Sequence, residues 1–279
     1  MNVRLLRADF GISIALPVRD HGLASAMPSL ADITAHLNKT LRIAELPDYS
    51  NAVNGLQLEN RSGQVTRIAA AVDATLPVVK KAIATRADLL IVHHGMFWSG
   101  LQPWTGGTFE RMKLALENGL AIYSAHLPLD VHPTLGNNAC IAKAMQLTPS
   151  GGFLDYKGMA VGVTCEAELP LDDVLARFTS ALDGGRVHVC AGGPRITKKI
   201  GISSGGSGSE IAAAAKAGVD TFITGEGPHW SYTLAEELGI NVLYGGHYAT
   251  ETFGVKALSA HLEQQFGLPW CFVDHPTGL

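Results

Sequence analysis

The chain has 279 residues, of which 47% are hydrophobic, and its formal net charge at neutral pH is −4. This length suffices for one large domain or two modest ones around a sizeable core. The weakly acidic balance excludes a broad basic field, so nucleic-acid binding would need a local patch and is not expected.

The N-terminal segment and the cysteines bear on where the protein works. Residues 1–26 contain the apolar segment "FGISIALPV", which is short and flanked by charged residues. We therefore predict a flexible N-terminal extension there rather than an export signal. No apolar run approaches the roughly 20 residues that span a bilayer. The four cysteines form no CxxC pair, so they are expected to be reduced thiols in a cytoplasmic protein.

The first half of the remaining chain alternates helical and strand-like segments. "MPSLADITAHLNKTL" is helical, with Ser29 as its N-cap. The turn-like segment "YSNAVNGLQLEN" then precedes the strand "RIAAAVDAT", the helix "LPVVKKAIATRA", the strand "DLLIVHHG", the helix "TFERMKLALENG" and the strand "LAIYSAH". Gly119 ends the last of these helices. This alternation predicts an α/β layered fold.

The second half repeats the alternation after a Gly- and Pro-rich region. That region holds "GMAVGVTCEAEL", the helix "LDDVLARFTSAL" and the short strand "GRVHVCAGG". The strand "KKIGISSGG", a glycine loop, the helix "SGSEIAAAAKAG", the strand "VDTFITGEG", the helix "SYTLAEELG" and the strand "INVLYGGH" follow. We predict one domain over residues 27–279, divided into two lobes at about residue 150.

The two halves match each other, which predicts an internal duplication. "DLLIVHHG" aligns with "DTFITGEG", and "GLAIYSAHLPLD" aligns with "GINVLYGGHYATE". In the second pair each histidine is followed four residues later by a carboxylate: Asp130 follows His126, and Glu251 follows His247. Because open α/β sheets bind ligands beyond the carboxyl ends of their strands, we expect these groups to converge with His93 and His94.

Imidazoles and carboxylates together are the ligand set of Zn, Mn, Fe, Co or Ni. Two such ions about 3.5 to 4 Å apart can bind a substrate between them. The adjacent pair His93 and His94 favours metal binding over a packing role. For His126, a ligand and an orienting hydrogen-bond partner are equally consistent with the pattern. Five other histidines are interpreted as surface or core residues: His132, His188, His229, His261 and His275.

The glycine loop "SSGGSGSE" leaves two interpretations open. It could bind phosphate through backbone N–H groups, although it lacks the lysine of a P-loop and does not fit GxGxxG. A tight turn in which Ser207 or Ser209 caps the following helix explains the composition equally well.

Several motifs together resemble those of the type 2 GTP cyclohydrolase I family, also called NIF-three-like proteins. They are "NGLQ", "VHHG", "AHLPLDVHPTLGNN", "GISSGGSG", "ITGE" and "GGHYATE", and they span residues 27–279 in the family's order. The resemblance implies two related α/β lobes with mixed sheets and a metal site between them. It also implies a hexameric ring and the short form of the family, which has no inserted domain.

The resemblance also implies which residues bind two divalent metal ions. The matching ligand positions are His93, His94, Asp130, His247 and Glu251. Glu251 matches the bridging carboxylate, with His94 and Asp130 on one ion and His93 and His247 on the other. His126 matches a position that is not usually a ligand, which points to a supporting role.

The activity implied is a metal-dependent hydrolase that opens the imidazole ring of GTP and releases formate. The substrate would be a small molecule such as a nucleotide. His126 and Glu226 are both candidates for the acid that protonates the departing nitrogen, and their spacing does not select between them. A dinuclear phosphoesterase or other hydrolase is an alternative, because two bridged ions also suit attack on phosphorus. A ring-shaped metal-binding protein with a regulatory or interaction role is the non-enzymatic alternative.

Overall fold

The computed structural model describes residues 27–279, so the predicted extension over residues 1–26 lies outside the described part. Two mixed β-sheets with flanking helices form this part of the chain, which confirms the predicted α/β fold. Among the helices described here, none combines the length and the apolar character that crossing a membrane requires. All four cysteines are free, as predicted, and the cytoplasmic location stays a prediction.

The first sheet is mainly parallel. Its strands are β1 (Gly55–Leu58), β2 (Ile68–Asp73), β3 (Leu89–His94), β4 (Ala121–Ser124) and β11 (Trp270–Phe272). They lie in the order β1-β4-β3-β2-β11, and only the edge strand β1 runs antiparallel to its neighbour. The helices of this half are α1 (Leu30–Thr40), α2 (Leu76–Ala84), α3 (Gly106–Glu117), α4 (Leu127–Asp130) and α5 (Asn137–Ala144).

The second sheet surrounds three parallel strands with antiparallel ones. Its strands are β5 (Gly151–Tyr156), β6 (Met159–Pro170), β7 (His188–Ala191), β8 (Ile196–Ile202), β9 (Thr221–Thr224) and β10 (Asn241–Tyr244). They lie in the order β5-β6-β8-β9-β10-β7, with β8, β9 and β10 parallel. The helices are α6 (Leu171–Ala181), α7 (Ile211–Lys216), α8 (His229–Leu238) and α9 (His247–Phe266), and a 3-10 helix (Ser207–Glu210) precedes α7.

The strand pairing agrees with the predicted duplication. In the first sheet, β2, β3 and β4 are parallel neighbours and β1 pairs antiparallel with β4. In the second sheet, β8, β9 and β10 are parallel neighbours and β7 pairs antiparallel with β10. The aligned segments therefore occupy equivalent positions: β3 corresponds to β9, and β4 corresponds to β10. The division at residue 150 stays a prediction, and the pairing adds that β11 returns to the first sheet beside β2.

Several local signals appear in the structure as the sequence predicted. The Ser29 hydroxyl accepts a hydrogen bond from the backbone N–H of Asp32 (3.0 Å) at the start of α1. Gly119 adopts a left-handed backbone (φ +61°) just after α3, where a side chain would be strained. The glycine loop differs, because neither Ser207 nor Ser209 caps a helix through its side chain. The Ser207 hydroxyl instead lies 2.8 Å from the Ser203 hydroxyl.

Strand β3 is buried on both faces, as expected for a strand inside a parallel sheet. Leu89 and Ile91 belong to the core beneath α1 and α9, whereas Leu90 and Val92 belong to the core beneath α2 and α3. Because neighbouring side chains of a strand point to opposite faces, the next two positions continue this alternation. This geometry sends the imidazoles at the end of β3 towards different sets of partners.

Candidate metal centre

The end of β3 holds two buried imidazoles in fixed orientations. His93 Nδ1 donates a hydrogen bond to the backbone oxygen of Ala125 (2.9 Å), beyond β4. His94 Nδ1 donates to Asp73 Oδ1 (2.9 Å), and Asp73 is paired with His94 across β2 and β3. With Nδ1 occupied, each ring turns its Nε2 atom towards the carboxylate of Glu251. Such an outer partner fixes the orientation of a histidine that binds a metal.

Helix α9 supplies the third imidazole and the central carboxylate. His247 and Glu251 lie one helical turn apart, so their side chains share a face. His247 Nδ1 donates to Glu226 Oε1 (2.8 Å), which lies just after β9. Its Nε2 atom is 3.1 Å from Glu251 Oε1. The glycine loop approaches this carboxylate so closely that a Cβ atom on Gly205 would lie 2.2 Å from Glu251 Oε1.

Asp130, at the end of α4, completes the predicted set of ligands. Its Oδ1 atom accepts hydrogen bonds from Asn137 Nδ2 (2.8 Å) and from the Ser204 hydroxyl (3.1 Å). Its Oδ2 atom lies 3.5 Å from His93 Nε2. One carboxylate oxygen is thus held by the protein, while the other faces the cluster of imidazoles.

The two oxygens of Glu251 face different imidazoles. Oε1 lies 3.1 Å from His247 Nε2 and 3.6 Å from His93 Nε2. Oε2 lies 3.6 Å from His94 Nε2. A separation of 3.6 Å is too long for a hydrogen bond. It is compatible with two ligand atoms of one ion, since each metal–ligand bond is about 2.0 to 2.2 Å long.

Several of these facing atoms are buried without a hydrogen-bond partner. Within the described chain they include His93 Nε2, His94 Nε2 and Glu251 Oε2. A buried polar atom left without a partner costs roughly 1 to 3 kcal/mol, so a cluster of such atoms is typical of a site that binds an ion or a ligand. Two overlapping groups in this cluster have metal-binding spacing: His93 with His94 and His126, and His94 with His247 and Glu251. The residues present therefore fit a metal site.

The electrostatics of the cluster favour positive charge. Burial alone would lower the pKa of His93, but the charges of Asp130 and Glu251 raise it to about 10. Burial opposes protonation of His247 as well, yet Glu251 and Glu226 raise its pKa to about 9. Burial would raise the pKa of Glu251, but the surrounding imidazoles hold it well below its usual value. The carboxylates thus create a negative potential at the point where the Nε2 atoms converge.

His126, which follows β4, lies against this cluster. Its ring centroid is 4.8 Å from that of His93 and 4.4 Å from that of Trp98. His126 Nδ1 donates to Asp48 Oδ1 (2.9 Å). Burial would raise the pKa of Asp48, but its hydrogen bond to His126 and the charge of that ring keep it below the usual value. An ionised Asp48 therefore holds the His126 ring in one orientation beside the predicted ligands.

Sequence reasoning missed the groups that orient the imidazoles. Asp73 could have been found, because it ends a parallel strand next to β3, where ligand-binding groups collect. Asp48 lies in an irregular segment without periodicity, and only the tertiary fold brings it to His126. The sequence pattern indicates Glu226 only as a candidate proton donor, whereas the structure also shows its carboxylate accepting a hydrogen bond from His247.

Comparisons with known proteins agree with this architecture. Residues 28–277 match the family model described as Duf34/NIF3 (NGG1p interacting factor 3). A Deinococcus radiodurans protein named "GTP cyclohydrolase 1 type 2 homolog" is 43% identical, with 89% of this chain and 94% of that protein covered.

Two solved structures extend the likeness to the fold. A crystal structure of a Thermus thermophilus protein is 38% identical and has a TM-score of 0.81, with 90% of this chain and 100% of that chain covered. The structure of protein ybgI, described as of unknown function, is 33% identical and has a TM-score of 0.83, with the same coverage.

We predict that Glu251→Gln lowers the metal content of the purified protein at least about twofold relative to the wild-type protein. The amide cannot supply two anionic oxygens to the three facing imidazoles. Metal content by inductively coupled plasma mass spectrometry measures this effect. Glu237→Gln, on the exposed surface of α8, is the matched control and should keep the wild-type content. Retention of the wild-type metal content by a folded Glu251→Gln variant would contradict a metal-binding role for Glu251.

Proposed function

The chain belongs to the Duf34/NIF3 family, and from that membership and the geometry of the site we propose a hydrolase that depends on two divalent metal ions, of the GTP cyclohydrolase type. The observation that carries the proposal is the buried Glu251 carboxylate, whose two oxygens face separate imidazoles while neighbouring Nε2 atoms lack partners. The relative named "GTP cyclohydrolase 1 type 2 homolog" supports the reaction type.

We assign the ligands by which oxygen of Glu251 each imidazole faces. His93 and His247 face Oε1 and would share one ion. His94 faces Oε2 and would bind the other ion. The family resemblance, rather than these distances, assigns Asp130 to that second ion, because Asp130 Oδ2 itself lies 3.5 Å from His93 Nε2. Zn, Mn, Fe, Co and Ni all accept this donor set. When bound, the two ions would supply Lewis acidity and lower the pKa of a water molecule towards neutrality.

His126 is better placed than Glu226 to give a proton to the substrate. The His126 ring lines the same cavity as His94 and Glu251, and Asp48 orients it through Nδ1. Glu226 does not line that cavity among the described residues, and one of its oxygens already holds His247. We therefore propose His126 as the general acid and Glu226 as a positioning residue for a metal ligand.

The proposal predicts formate release when the purified protein, loaded with Mn, Zn, Fe or Ni, is incubated with GTP and, in parallel, with guanosine. Formate is quantified by a coupled dehydrogenase assay and phosphate by colorimetry on the same samples. Phosphate without formate would support the alternative of a dinuclear phosphoesterase, which the facing oxygens of Glu251 also suit. Neither product with any of the metals would contradict a hydrolase of either kind and favour a non-enzymatic metal-binding role.

Variants separate catalysis from metal binding in the same assay. His126→Gln should lower kcat by about 10²- to 10⁴-fold, as for loss of a general acid, while the metal content is retained. Glu226→Gln should instead weaken metal binding by about 10- to 100-fold and restore activity at high metal concentration. If His126→Gln retains full kcat, the acid lies elsewhere.

We also propose that the protein assembles as a homo-hexamer. The resemblance to ring-forming NIF-three-like proteins supports this number. One surface segment carries the large apolar side chains Leu101, Trp104 and Phe109, and Leu101 is 96% exposed in the single chain. Exposed apolar groups that cluster in this way are typical of protein interfaces.

The expected solution mass is therefore about six times the chain mass of 29.5 kDa. Sedimentation velocity or light scattering at micromolar concentration measures it. Trp104→Asp should lower the mass, because a charge would then be buried at the interface. A monomeric mass for the unmodified protein would contradict the proposal.

A further inference from the structure

Five aromatic rings form a continuous wall along one side of the cavity above the metal centre. Consecutive ring centroids along this wall are 5.0, 5.8, 4.4 and 4.4 Å apart. In order from the rim inwards, the rings of this aromatic wall are Tyr156, Tyr49, His126, Trp98 and His94. The wall thus runs from Tyr156 and the half-exposed Tyr49 at the rim to His94, a proposed metal ligand.

Segments from both halves of the chain hold the wall in place. Tyr49 precedes β1, and its neighbour Tyr156 ends β5 in the second sheet. Trp98 follows β3, and its backbone oxygen accepts a hydrogen bond from Asn51 Nδ2 (2.6 Å). Its indole stacks on the His94 ring with an interplanar angle of 27°. These contacts join protein groups to one another and fix the position of the Trp98 ring in the wall.

The cavity has the size and the polarity of a site for a small planar molecule. Its volume is about 380 Å³. Ser204 and Ser207 line it, and their hydroxyl oxygens, which already bond to Asp130 and Ser203, can still accept hydrogen bonds from ring N–H groups. Planar rings stack on aromatic side chains at centroid separations of about 4.5 to 7 Å. An aromatic wall joined to hydrogen-bonding groups is suited to a heteroaromatic ring.

The charge at the rim disfavours an anionic ligand. Asp155 and Glu210, whose side chains are not among the proposed metal ligands, line the rim. Among the described residues that line this cavity, none is a lysine or an arginine. Lys157 lies over the ring of Tyr156, with its Nζ atom 5.0 Å from the centroid, and is not part of the lining. A triphosphate that extended past the rim would therefore meet like charge.

We propose that the aromatic wall binds a neutral purine ring, as a nucleoside or a free base, and that Asp155 and Glu210 select against the nucleoside triphosphate. This inference rests on the proposed hydrolase and names the class of its substrate. The purine would stack against the aromatic wall, which brings its ring to the metal ligands His94 and Glu251.

Equilibrium binding of guanosine and GTP to the zinc-loaded protein tests the selection without requiring turnover. Isothermal titration calorimetry should give a Kd for guanosine at least about tenfold below that for GTP. The double variant Asp155→Asn, Glu210→Gln should lower the Kd for GTP several-fold, with little change in the Kd for guanosine. The difference between the two Kd values should therefore become smaller. GTP binding as tight as guanosine binding, or tighter, would overturn the selection by charge.

Substitutions at the rim test the wall itself. Tyr156→Leu should weaken guanosine binding by about 5- to 100-fold, the range for loss of one base–aromatic stack. Tyr156→Phe should retain the wild-type Kd, because the ring remains. Tyr49→Leu, at a half-exposed position, provides a second variant that is less disruptive to folding. Tyr232→Leu, outside this lining, is the matched control. Unchanged guanosine binding by folded, zinc-loaded Tyr156→Leu and Tyr49→Leu would overturn the proposal.

Loss of the hydrolase proposal and loss of the purine-site proposal would give different experimental results. Tight guanosine binding with no formate release under any metal would contradict the hydrolase and leave the binding site in place. Formate release from GTP, with no preference for guanosine in binding, would support the hydrolase and overturn the substrate class. Metal content measured on the same samples ensures that every variant is compared at equal loading.

Discussion

The burial of one carboxylate organises the whole site. Glu251 is 3% exposed, and a buried carboxylate is costly unless positive charge or hydrogen bonds surround it. Three imidazoles from two separated parts of the chain face it, two from the end of β3 and one from the start of α9. The glycine at position 205 lets the backbone of the second half approach its oxygen. The end of strand β3, the start of helix α9 and the glycine loop therefore all contribute to the same site.

The two halves share a topology but contribute different chemistry. The end of β3 carries two adjacent imidazoles, whereas the equivalent end of β9 carries Gly225 and Glu226, and Glu226 holds an imidazole rather than adding one. After β4 a short helix ends at Asp130, but after β10 the 20-residue helix α9 runs back across the first sheet. The matching strand arrangements thus place polar groups at equivalent strand ends, while the groups themselves differ between the two halves.

Much of this arrangement follows from local sequence patterns. The alternation of strands and helices predicts the α/β layers, and polar residues after buried strands point to the site, because strand ends are recognisable in the sequence. The edge strand β1 lies in a segment that the sequence predicts as turn-like, since its strand signal is only four residues long. The return of β11 to the first sheet, the Asp48–His126 contact and the aromatic wall depend on contacts between residues distant in sequence. No periodicity within one segment encodes such contacts.

The central claim is that Glu251 lies between two metal ions held by separate sets of imidazoles. Anomalous diffraction from crystals of the zinc-loaded protein, collected above and below the absorption edge, measures the number and position of the ions directly. Two peaks about 3.5 to 4 Å apart are expected, one beside His93 and His247 and the other beside His94. A single peak, or peaks away from Glu251, would contradict the central claim.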